Sequence, residues 1–238
     1  MSKLSNYLDL KLTNFFGRAF RKNKNEILKK IVSASAHDYL MNNLSGNIVL
    51  PYNVWSISPQ GMMVIINHIL INDVKTIVEF GTGISTVFLN NLSIKNKLNL
   101  KIISIDHDAK WQSIIKEKYG AHNIEYINCD MTTQLKFKNE TFPWYDVNAL
   151  KNVDKKNVDF IIIDGPVGNK NIYERAGAFE FFKDELHNKN FSCFFDDTNE
   201  PQFKEIMMHH YPDARFYPTF SIAGLGNKYE TEPVIFTK

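Results

Sequence analysis

Acidic residues follow five short apolar stretches of the sequence, and each stretch has the β-branched and aromatic residues of a buried strand. The acids are Glu79, Asp106, Asp130, Asp164 and the pair Asp196-Asp197. In an open parallel sheet, ligands bind beyond the carboxyl ends of the strands, so we expect these carboxylates to share one edge. Because a carboxylate there must be solvated or bound to a partner, the series predicts a polar ligand site.

A glycine turn follows the first apolar stretch, in the segment Glu79-Phe80-Gly81-Thr82-Gly83-Ile84-Ser85-Thr86. Gly81 and Gly83 permit backbone angles and close approaches that a Cβ atom would hinder. Ser85 and Thr86 can cap the helix that follows, and a helix start offers N–H groups to a polar or anionic ligand. The turn therefore predicts a site for a nucleotide-like cofactor.

Two cofactor classes compete for this turn. A nicotinamide dinucleotide favours G-x-G-x-x-G at the helix start, but Thr86 stands at the third glycine position and Glu79 precedes the turn. An acid there suits a cofactor with a positive amino group better than a pyrophosphate. Asp106, 25 residues after Gly81, lies where an acid meets a ribose hydroxyl, and Asp130 is placed to reach an adenine amino group. The residues favour S-adenosylmethionine and leave an NAD-dependent oxidoreductase as the alternative.

Four motifs, taken in order, resemble those of the class I S-adenosylmethionine-dependent methyltransferases. They are the segments 79–86, 104–111, 128–130 and 162–166, the last followed by Arg175 and by 194–197. The resemblance covers about residues 50–238, and it implies that Glu79 and the two glycines hold the amino-acid end of the cofactor. The cofactor-binding residues predicted in this way are Glu79, Gly81, Gly83, Ser85, Thr86, Asp106, His107, Asp130, Met131 and Asp164.

Within that family, the layout most resembles bacterial enzymes that methylate sugars in surface glycans or natural products. The resemblance therefore implies O-methylation of a carbohydrate hydroxyl, with a small molecule or a glycan as the acceptor. A binding or scaffold protein that uses the same fold without catalysis is a further alternative.

Three of the acids predict a metal site of their own. Asp196 and Asp197 follow Asp164 by about 32 residues, an order similar to that of metal-dependent O-methyltransferases, and three carboxylates suit a hard divalent ion such as Mg²⁺. There the metal lowers the pKa of the acceptor oxygen and orients it. The sequence departs from that pattern after Asp164, since the nearest base is Lys170.

Without a metal, Asp164 is the candidate general base on the acceptor hydroxyl. Lys170 and Arg175 complete the predicted catalytic set. Arg175 has two interpretations, since it either holds an anionic group of the substrate or forms a structural salt bridge.

The elements that must position these residues alternate along the chain. Strands are predicted at 76–80, 100–106, 124–130, 158–164, 191–196, 214–220 and 234–237, and helices at 59–70, 87–92, 109–119, 172–186 and 203–210. Such alternation predicts an α/β fold of the Rossmann-like, doubly wound kind. We expect a mostly parallel seven-stranded sheet with an antiparallel hairpin at its C-terminal edge.

Three segments stand outside this alternation. Residues 1–45 read as a basic helical extension that either contacts an anionic membrane, a glycosyltransferase or another partner, or is a solvated helical cover. Residues 46–238 form the predicted cofactor-binding domain. Within it, Leu135 to Lys156 is long for a connection and predicts a lid, while Tyr52 and Trp55 form an aromatic loop beside the cofactor turn.

Bulk composition excludes several other classes. The 238 residues carry a formal net charge of only +2, which gives no case for nucleic acid as a partner. Cys129 and Cys193 lie in apolar runs and are expected as reduced thiols of the core. The sequence shows neither a membrane-spanning run nor a signal-peptide core. We therefore expect a soluble cytoplasmic protein, with homo-oligomer formation left open.

Overall fold

The computed structural model describes residues 24, 26–46, 48–167, 173–188 and 190–224. The helices are α1 (26–44), α2 (Pro59–Ile71), α3 (Ile84–Lys95), α4 (Ala109–Ser113), α5 (Gly177–Phe181) and α6 (Pro201–His210). The strands are β1 (Thr76–Phe80), β2 (Lys101–Asp106), β3 (Glu125–Asn128), β4 (Thr133–Phe137), β5 (Glu140–Trp144), β6 (Phe160–Ile163), β7 (Ser192–Asp196), β8 (Arg215–Phe216) and β9 (Phe220–Gly224).

Seven of these strands form one sheet in the order β3-β2-β1-β6-β7-β9-β8. The first five are parallel, and β9 pairs antiparallel with both β7 and β8. The prediction of a mostly parallel, doubly wound sheet with an antiparallel edge hairpin is confirmed. The strand order reverses between β1 and β6, which is where such sheets leave a crevice for ligands.

The central strands are apolar because they are covered on both faces. In β6 all four residues from Phe160 to Ile163 are buried. Ile161 and Ile163 pack into the core cluster that includes Phe179 of α5, whereas Phe160 and Ile162 pack into the cluster formed with α2 and α3. Alternate side chains thus serve two separate hydrophobic layers, which fixes the register of the sheet.

The predicted edge hairpin was wrong in its residues. Ala214 to Phe220 is not one strand, because the amide of Tyr217 bonds to the carbonyl of Phe220 and closes a turn between β8 and β9. Residues 221–224, which lie in the predicted loop between the strands 214–220 and 234–237, belong to β9. This strand lies next to β7. The strand predicted at 234–237 lies outside the described residues.

The predicted helix 172–186 is shorter in the structure. Residue 172 lies outside the described part of the chain. Its helical residues are the 3₁₀ turn Glu174–Ala176 and α5, and hydrogen-bonded turns follow as far as Asn188. These turns still bury Phe182 and Leu186, so the apolar pattern that suggested one long helix reports burial rather than helix length.

The segment from Leu135 to Lys156 is part of the core rather than the lid that we expected. It begins in the antiparallel pair β4–β5, and Phe142, Trp144 and Tyr145 are completely buried. The Trp144 ring lies 5.6 Å from that of Phe80, at the end of β1. The aromatic side chains of this segment therefore fill space beneath the glycine turn. Their burial removes apolar surface from water, which stabilises the folded state.

Helix α1 packs against the same domain through one face. Val32, Ala36, Leu40 and Leu44 are buried at a spacing of four residues, as expected for one side of an α-helix. Residues 1–23, which hold most of the basic side chains predicted to contact a membrane or partner, lie outside the described residues. No helix in the described part of the chain is both long enough and apolar enough to span a bilayer.

Candidate functional site

A cavity of about 370 Å³ opens at the carboxyl ends of β1, β2 and β6. Its walls come from the glycine turn, from the end of β2, from the end of β6 and from the loop before α2. The described lining residues are Pro51, Asn53, Trp55, Ser56, Ile57, Gly81, Thr82, Gly83, Ile84, Ser85, Asp106, His107, Asp108, Trp111, Asp164 and Val167. The volume falls in the range of small-molecule sites.

Two glycines bring the ends of β1 and β6 into backbone contact. Gly81 has φ +98°, and a Cβ atom on it would lie 3.0 Å from the carbonyl of Asp164. A Cβ atom on Gly165 would lie 2.9 Å from the Cα atom of Gly81. Any side chain at either position would push the two turns apart, so these glycines set the distance between the turn and the Asp164 carboxylate.

The amide groups of the glycine turn are already used within the protein. The Gly81 amide donates to the carbonyl of Ile105 at 2.9 Å. The Thr82 amide donates to Oδ2 of Asp106 at 2.8 Å, and the Gly83 amide donates to Oγ1 of Thr86 at 3.0 Å. A pyrophosphate needs such N–H groups to be free, so these three amides do not form a phosphate cradle.

Glu79 lies beneath the turn and not in the cavity. Its carboxylate is fully buried and accepts hydrogen bonds from three hydroxyl groups, those of Ser85 (2.5 Å), Thr86 (2.5 Å) and Ser104 (2.9 Å). Burial raises the pKa of Glu79 to about 7, against the lowering effect of these donors. The structure thus places Glu79 and Thr86 as supports of the turn, whereas we expected both of them to contact the cofactor.

Asp106 is placed as predicted, at the end of β2 and on the cavity wall. Its Oδ2 accepts the Thr82 amide, and its Oδ1 accepts the Asp108 amide at 2.9 Å and lies 3.3 Å from Nδ1 of His107. The indole of Trp111 donates to the carbonyl of Thr82 at 2.7 Å. These bonds lock the carboxylate in one orientation, which prepares it for a ligand hydroxyl.

Asp130 and Met131 lie farther along the same edge. Asp130 is exposed and Met131 is half-buried, and neither lines the cavity as described. The carbonyl of Asp130 accepts the amide of Asp146, which ties this strand end to the segment after β5. Contact of these two residues with the adenine region stays a prediction.

Asp164, Asp196 and Asp197 come together as the sequence predicted. Each offers one carboxylate oxygen, and these oxygens lie within 4.8 Å of one another. Arg175 enters the same cluster from the 3₁₀ turn before α5. Its Nη2 lies 3.4 Å from Oδ1 of Asp164, and its Nη1 lies 3.1 Å from Oδ2 of Asp197 and 3.4 Å from the Asp196 carbonyl.

The electrostatics of this acidic cluster oppose full ionisation. Burial, followed by the charge of Asp196, raises the pKa of Asp164 well above its usual range, against the opposing effect of Arg175. Burial, followed by the charge of Asp197, raises the pKa of Asp196 to about 7. Oδ1 of Asp196 is buried and has no hydrogen-bond partner within the described part of the chain. At neutral pH the cluster therefore holds a proton in part of the molecules.

A second cavity, of about 320 Å³, adjoins the first across Asp164. Its described walls are Val54, Trp55, Asp164, Val167, Arg175, Asp196 and Asp197. Trp55 is 74% exposed and, like Asp164 and Val167, lines both cavities. Trp55 thus belongs to the site, whereas Tyr52, the other aromatic residue of this loop, lines neither described cavity. The other lining residues of this loop, such as Pro51 and Asn53, gave no sequence signal.

No protein-family model matches the sequence, and no curated protein matches it. Among solved structures, the O-methyltransferase TomG from Streptomyces achromogenes, with S-adenosylmethionine, matches at 13% identity and a TM-score of 0.48, covering 80% of this chain and 96% of that one. The Podospora anserina methyltransferase PaMTH1, with S-adenosylhomocysteine, matches at 12% identity and a TM-score of 0.46, covering 80% of this chain and 95% of that one. An O-methyltransferase from Bacillus cereus, also with S-adenosylhomocysteine, matches at 14% identity and a TM-score of 0.45, covering 79% of this chain and 89% of that one.

The sheet has seven strands and is mostly parallel with an antiparallel β9, as the alternation of strands and helices along the sequence predicted. The chain therefore has the Rossmann-like, doubly wound fold that was predicted. The fold does not determine the activity, because one fold hosts many functions, and each function must be inferred from the residues of the site.

The site brings together most of the predicted residues. Gly81, Gly83, Ser85, Asp106, His107 and Asp164 line the first cavity, and Arg175, Asp196 and Asp197 line the second together with Asp164. Lys170, predicted as a catalytic base, lies outside the described residues. No role was predicted from the sequence for Trp111 or Asp108, which also line the first cavity. Asp108 caps α4, because its side chain accepts a hydrogen bond from the amide of Trp111.

Proposed function

We propose that this protein is an S-adenosylmethionine-dependent methyltransferase that acts on an oxygen atom of a small acceptor. The observation that carries the proposal is the position of Asp164, whose side chain stands on the wall of both cavities. A group between two adjoining pockets can contact a donor molecule in one and an acceptor in the other. That is the arrangement a group transfer requires.

The charge of the first cavity supports S-adenosylmethionine over a dinucleotide. Among its described lining residues, Asp106, Asp108 and Asp164 carry carboxylates, and none is a lysine or an arginine. Acids repel a pyrophosphate and attract the sulfonium and ammonium groups of S-adenosylmethionine. Since the amides of Gly81, Thr82 and Gly83 are also engaged, a dinucleotide would meet neither free donors nor positive charge from these groups.

When bound, S-adenosylmethionine supplies an electrophilic methyl group attached to a positively charged sulfur. Asp106, already oriented by two backbone amides, would accept hydrogen bonds from the ribose. Asp164 would take the proton that leaves the acceptor hydroxyl. Because the pKa of Asp164 is raised, its carboxylate is a stronger base than an exposed aspartate, and the reaction should quicken as the pH rises.

The acceptor that we propose is a carbohydrate hydroxyl. The second cavity combines the exposed face of Trp55 with the carboxylates of Asp164 and Asp197. An aromatic face packs against the C–H surface of a sugar ring, and carboxylates accept hydrogen bonds from its hydroxyl groups. Action in the cytoplasm, and in the assembly of a surface glycan, is the corresponding prediction for the cell.

A metal-assisted form of this reaction was the expectation from the three aspartates. The donors are of the right type for Mg²⁺, since all are carboxylate oxygens and they lie within 4.8 Å of one another. The guanidinium of Arg175, however, already contacts Asp164 and Asp197. The cluster does not fit a divalent cation alongside this fixed charge, and Asp164 is the base in our proposal.

The proposal is tested by titrating the purified full chain with S-adenosylhomocysteine and, separately, with NAD in a calorimeter. We expect binding of S-adenosylhomocysteine in the micromolar range, about −8 kcal/mol, and none of NAD. Methyl transfer from isotope-labelled S-adenosylmethionine to a panel of free sugars and nucleotide sugars then tests the acceptor. Binding of NAD alone would replace the proposal with an oxidoreductase, and binding without transfer to any acceptor would favour a non-catalytic protein.

A further inference from the structure

Arg175 is held in place by contacts with several residues of the protein. Its side chain is only 8% exposed, and its two terminal nitrogens contact Asp164, Asp197 and the Asp196 carbonyl. The guanidinium carbon also lies 4.7 Å above the ring centre of Phe203, in α6. Stacking on one side and carboxylates on the other fix the plane of the group.

The acidic cluster needs a cation, and Arg175 supplies one. Three carboxylates meet in the cluster, and no described residue offers a hydrogen bond to the buried Oδ1 of Asp196. Buried carboxylates are retained when they are paired, protonated or bound to a metal. The guanidinium does not lose its charge in proteins. A divalent ion on the same oxygens would therefore meet a permanent positive charge that it cannot neutralise.

We propose that Arg175 takes the place of a divalent cation in the three-aspartate cluster, so that the cluster binds a metal ion only when Arg175 is removed. In this role Arg175 is a positioning residue. It contacts the carboxylate of Asp164 at the boundary of the two cavities and the carboxylate of Asp197, whose backbone has φ +57°. The inference concerns the same site as the proposed function but does not depend on methyl transfer.

Mn²⁺ binding tests the proposal on the full chain without cofactor. Electron paramagnetic resonance of free Mn²⁺ is followed for the wild type, Arg175→Ala and Arg175→Gln at pH 8. We expect the wild type to bind Mn²⁺ no more tightly than about 1 mM, the weak end for oxygen-ligand sites. Each arginine variant should bind at least about 10-fold more tightly, because the three carboxylates gain a vacancy and lose a repelling charge.

Two controls make the comparison specific. Arg215→Ala removes an arginine in β8 that lines neither described cavity, and it should leave Mn²⁺ binding as weak as in the wild type. Asp197→Asn added to Arg175→Ala should abolish the new affinity. Asparagine tolerates the backbone conformation of residue 197, so this change removes a ligand without adding strain.

Tight binding of Mn²⁺ by the wild type, below about 100 μM, would overturn the proposal whether or not the variants fold. Folded arginine variants that bind no better than the wild type would also overturn it. Weak binding by the wild type supports the proposal even if the variants unfold. None of these results touches the binding of S-adenosylhomocysteine, so failure of this inference and failure of the proposed function are distinguishable.

Discussion

Two groups of acids stand at the same edge of the sheet, and the fold satisfies them in different ways. In the turn group, formed by Glu79 and Asp106, each of the four carboxylate oxygens accepts at least one hydrogen bond from a hydroxyl or a backbone amide. In the acidic cluster, the guanidinium of Arg175 contacts the carboxylates of Asp164 and Asp197 and the backbone carbonyl of Asp196. One buried carboxylate oxygen of Asp196 has no hydrogen-bond partner among the described residues.

The difference indicates that the two groups of acids have different roles. Neutral donors fix the geometry of the turn group before any ligand arrives, which suits recognition of a cofactor. Burial raises the pKa values of Glu79, Asp164 and Asp196, but Glu79 lines neither described cavity, whereas Asp164 lines both and Asp196 lines the second. Groups that exchange protons easily near neutral pH are suited to catalysis. Binding should therefore depend on the turn group, and proton transfer on the cluster.

The largest effect is expected from Asp164→Asn. Asparagine keeps the shape of the side chain but cannot accept the proton, so kcat should fall by about 10²–10⁴-fold. The affinity for S-adenosylhomocysteine should change by less than about threefold, since the turn group is intact. The measurements are initial rates with labelled S-adenosylmethionine and calorimetry with S-adenosylhomocysteine.

Asp184→Asn is the matched control for the loss of one carboxylate, because this residue is exposed and lines neither described cavity. It should leave both the rate and the affinity unchanged. An Asp164→Asn variant that keeps its rate but loses cofactor affinity would reverse the division between the two groups of acids.

Gly81→Ala should weaken S-adenosylhomocysteine by about 10²-fold, since a Cβ atom strains a residue with positive φ. In this case it also lies 3.0 Å from the Asp164 backbone. Gly120→Ala isolates the strain, because Gly120 has φ +73° and a Cβ atom there meets nothing within 4 Å. That control should lose some stability and no affinity. Equal loss of affinity in both variants would show that backbone contact with Gly165 is unimportant.

Thr86→Val should weaken S-adenosylhomocysteine by about 10-fold, although Thr86 does not line the described cavity. Its hydroxyl accepts the Gly83 amide and donates to Glu79, so valine cuts the link between turn and carboxylate. Glu79→Gln should act through the same link, and the double variant should lose less than the sum of the two. Full additivity, or no effect of Thr86→Val, would favour direct contact of Glu79 with the cofactor.

The sequence predicted the positions of the strand ends in this site but not the directions of the side chains there. Strand ends are visible because apolar runs stop at an acid, so Asp106 and Asp164 were placed correctly at one edge. The direction of a side chain at a strand end is not visible. Glu79 and Asp106 look alike in sequence, yet three hydroxyls draw Glu79 inward. Those donors lie 6 to 25 residues away along the chain, where no local pattern links them to it.

A structural salt bridge was one of the two predicted interpretations of Arg175, and the structure shows it with Asp164 and Asp197. The identity of these partners could not be predicted, because it depends on a turn whose position the tertiary fold sets. The apolar spacing around it suggested one long helix, whereas the structure has a 3₁₀ turn and a short α5 there. Gly177, at the start of α5, lies against the Trp144 ring, where a Cβ atom would be 2.3 Å from Cδ1. Packing between segments distant in sequence, rather than propensity, thus brings the guanidinium to the cluster.

The smallest effect concerns stability and pH, and its measurement needs no ligand. Burial raises the pKa of Asp196 to about 7 in the folded state, from about 3.9 in an unfolded chain. A group with a raised pKa stabilises the fold fully at low pH, and this contribution is lost as the pH rises from about 4 through about 7. In Asp196→Asn the free energy of unfolding should fall less across that window, by on the order of 1 kcal/mol. Urea denaturation at pH 5 and pH 8 measures the difference. Glu79 titrates in the same direction, so part of the slope should persist in the variant, and an unchanged slope would mean that Asp196 stays ionised beside Arg175.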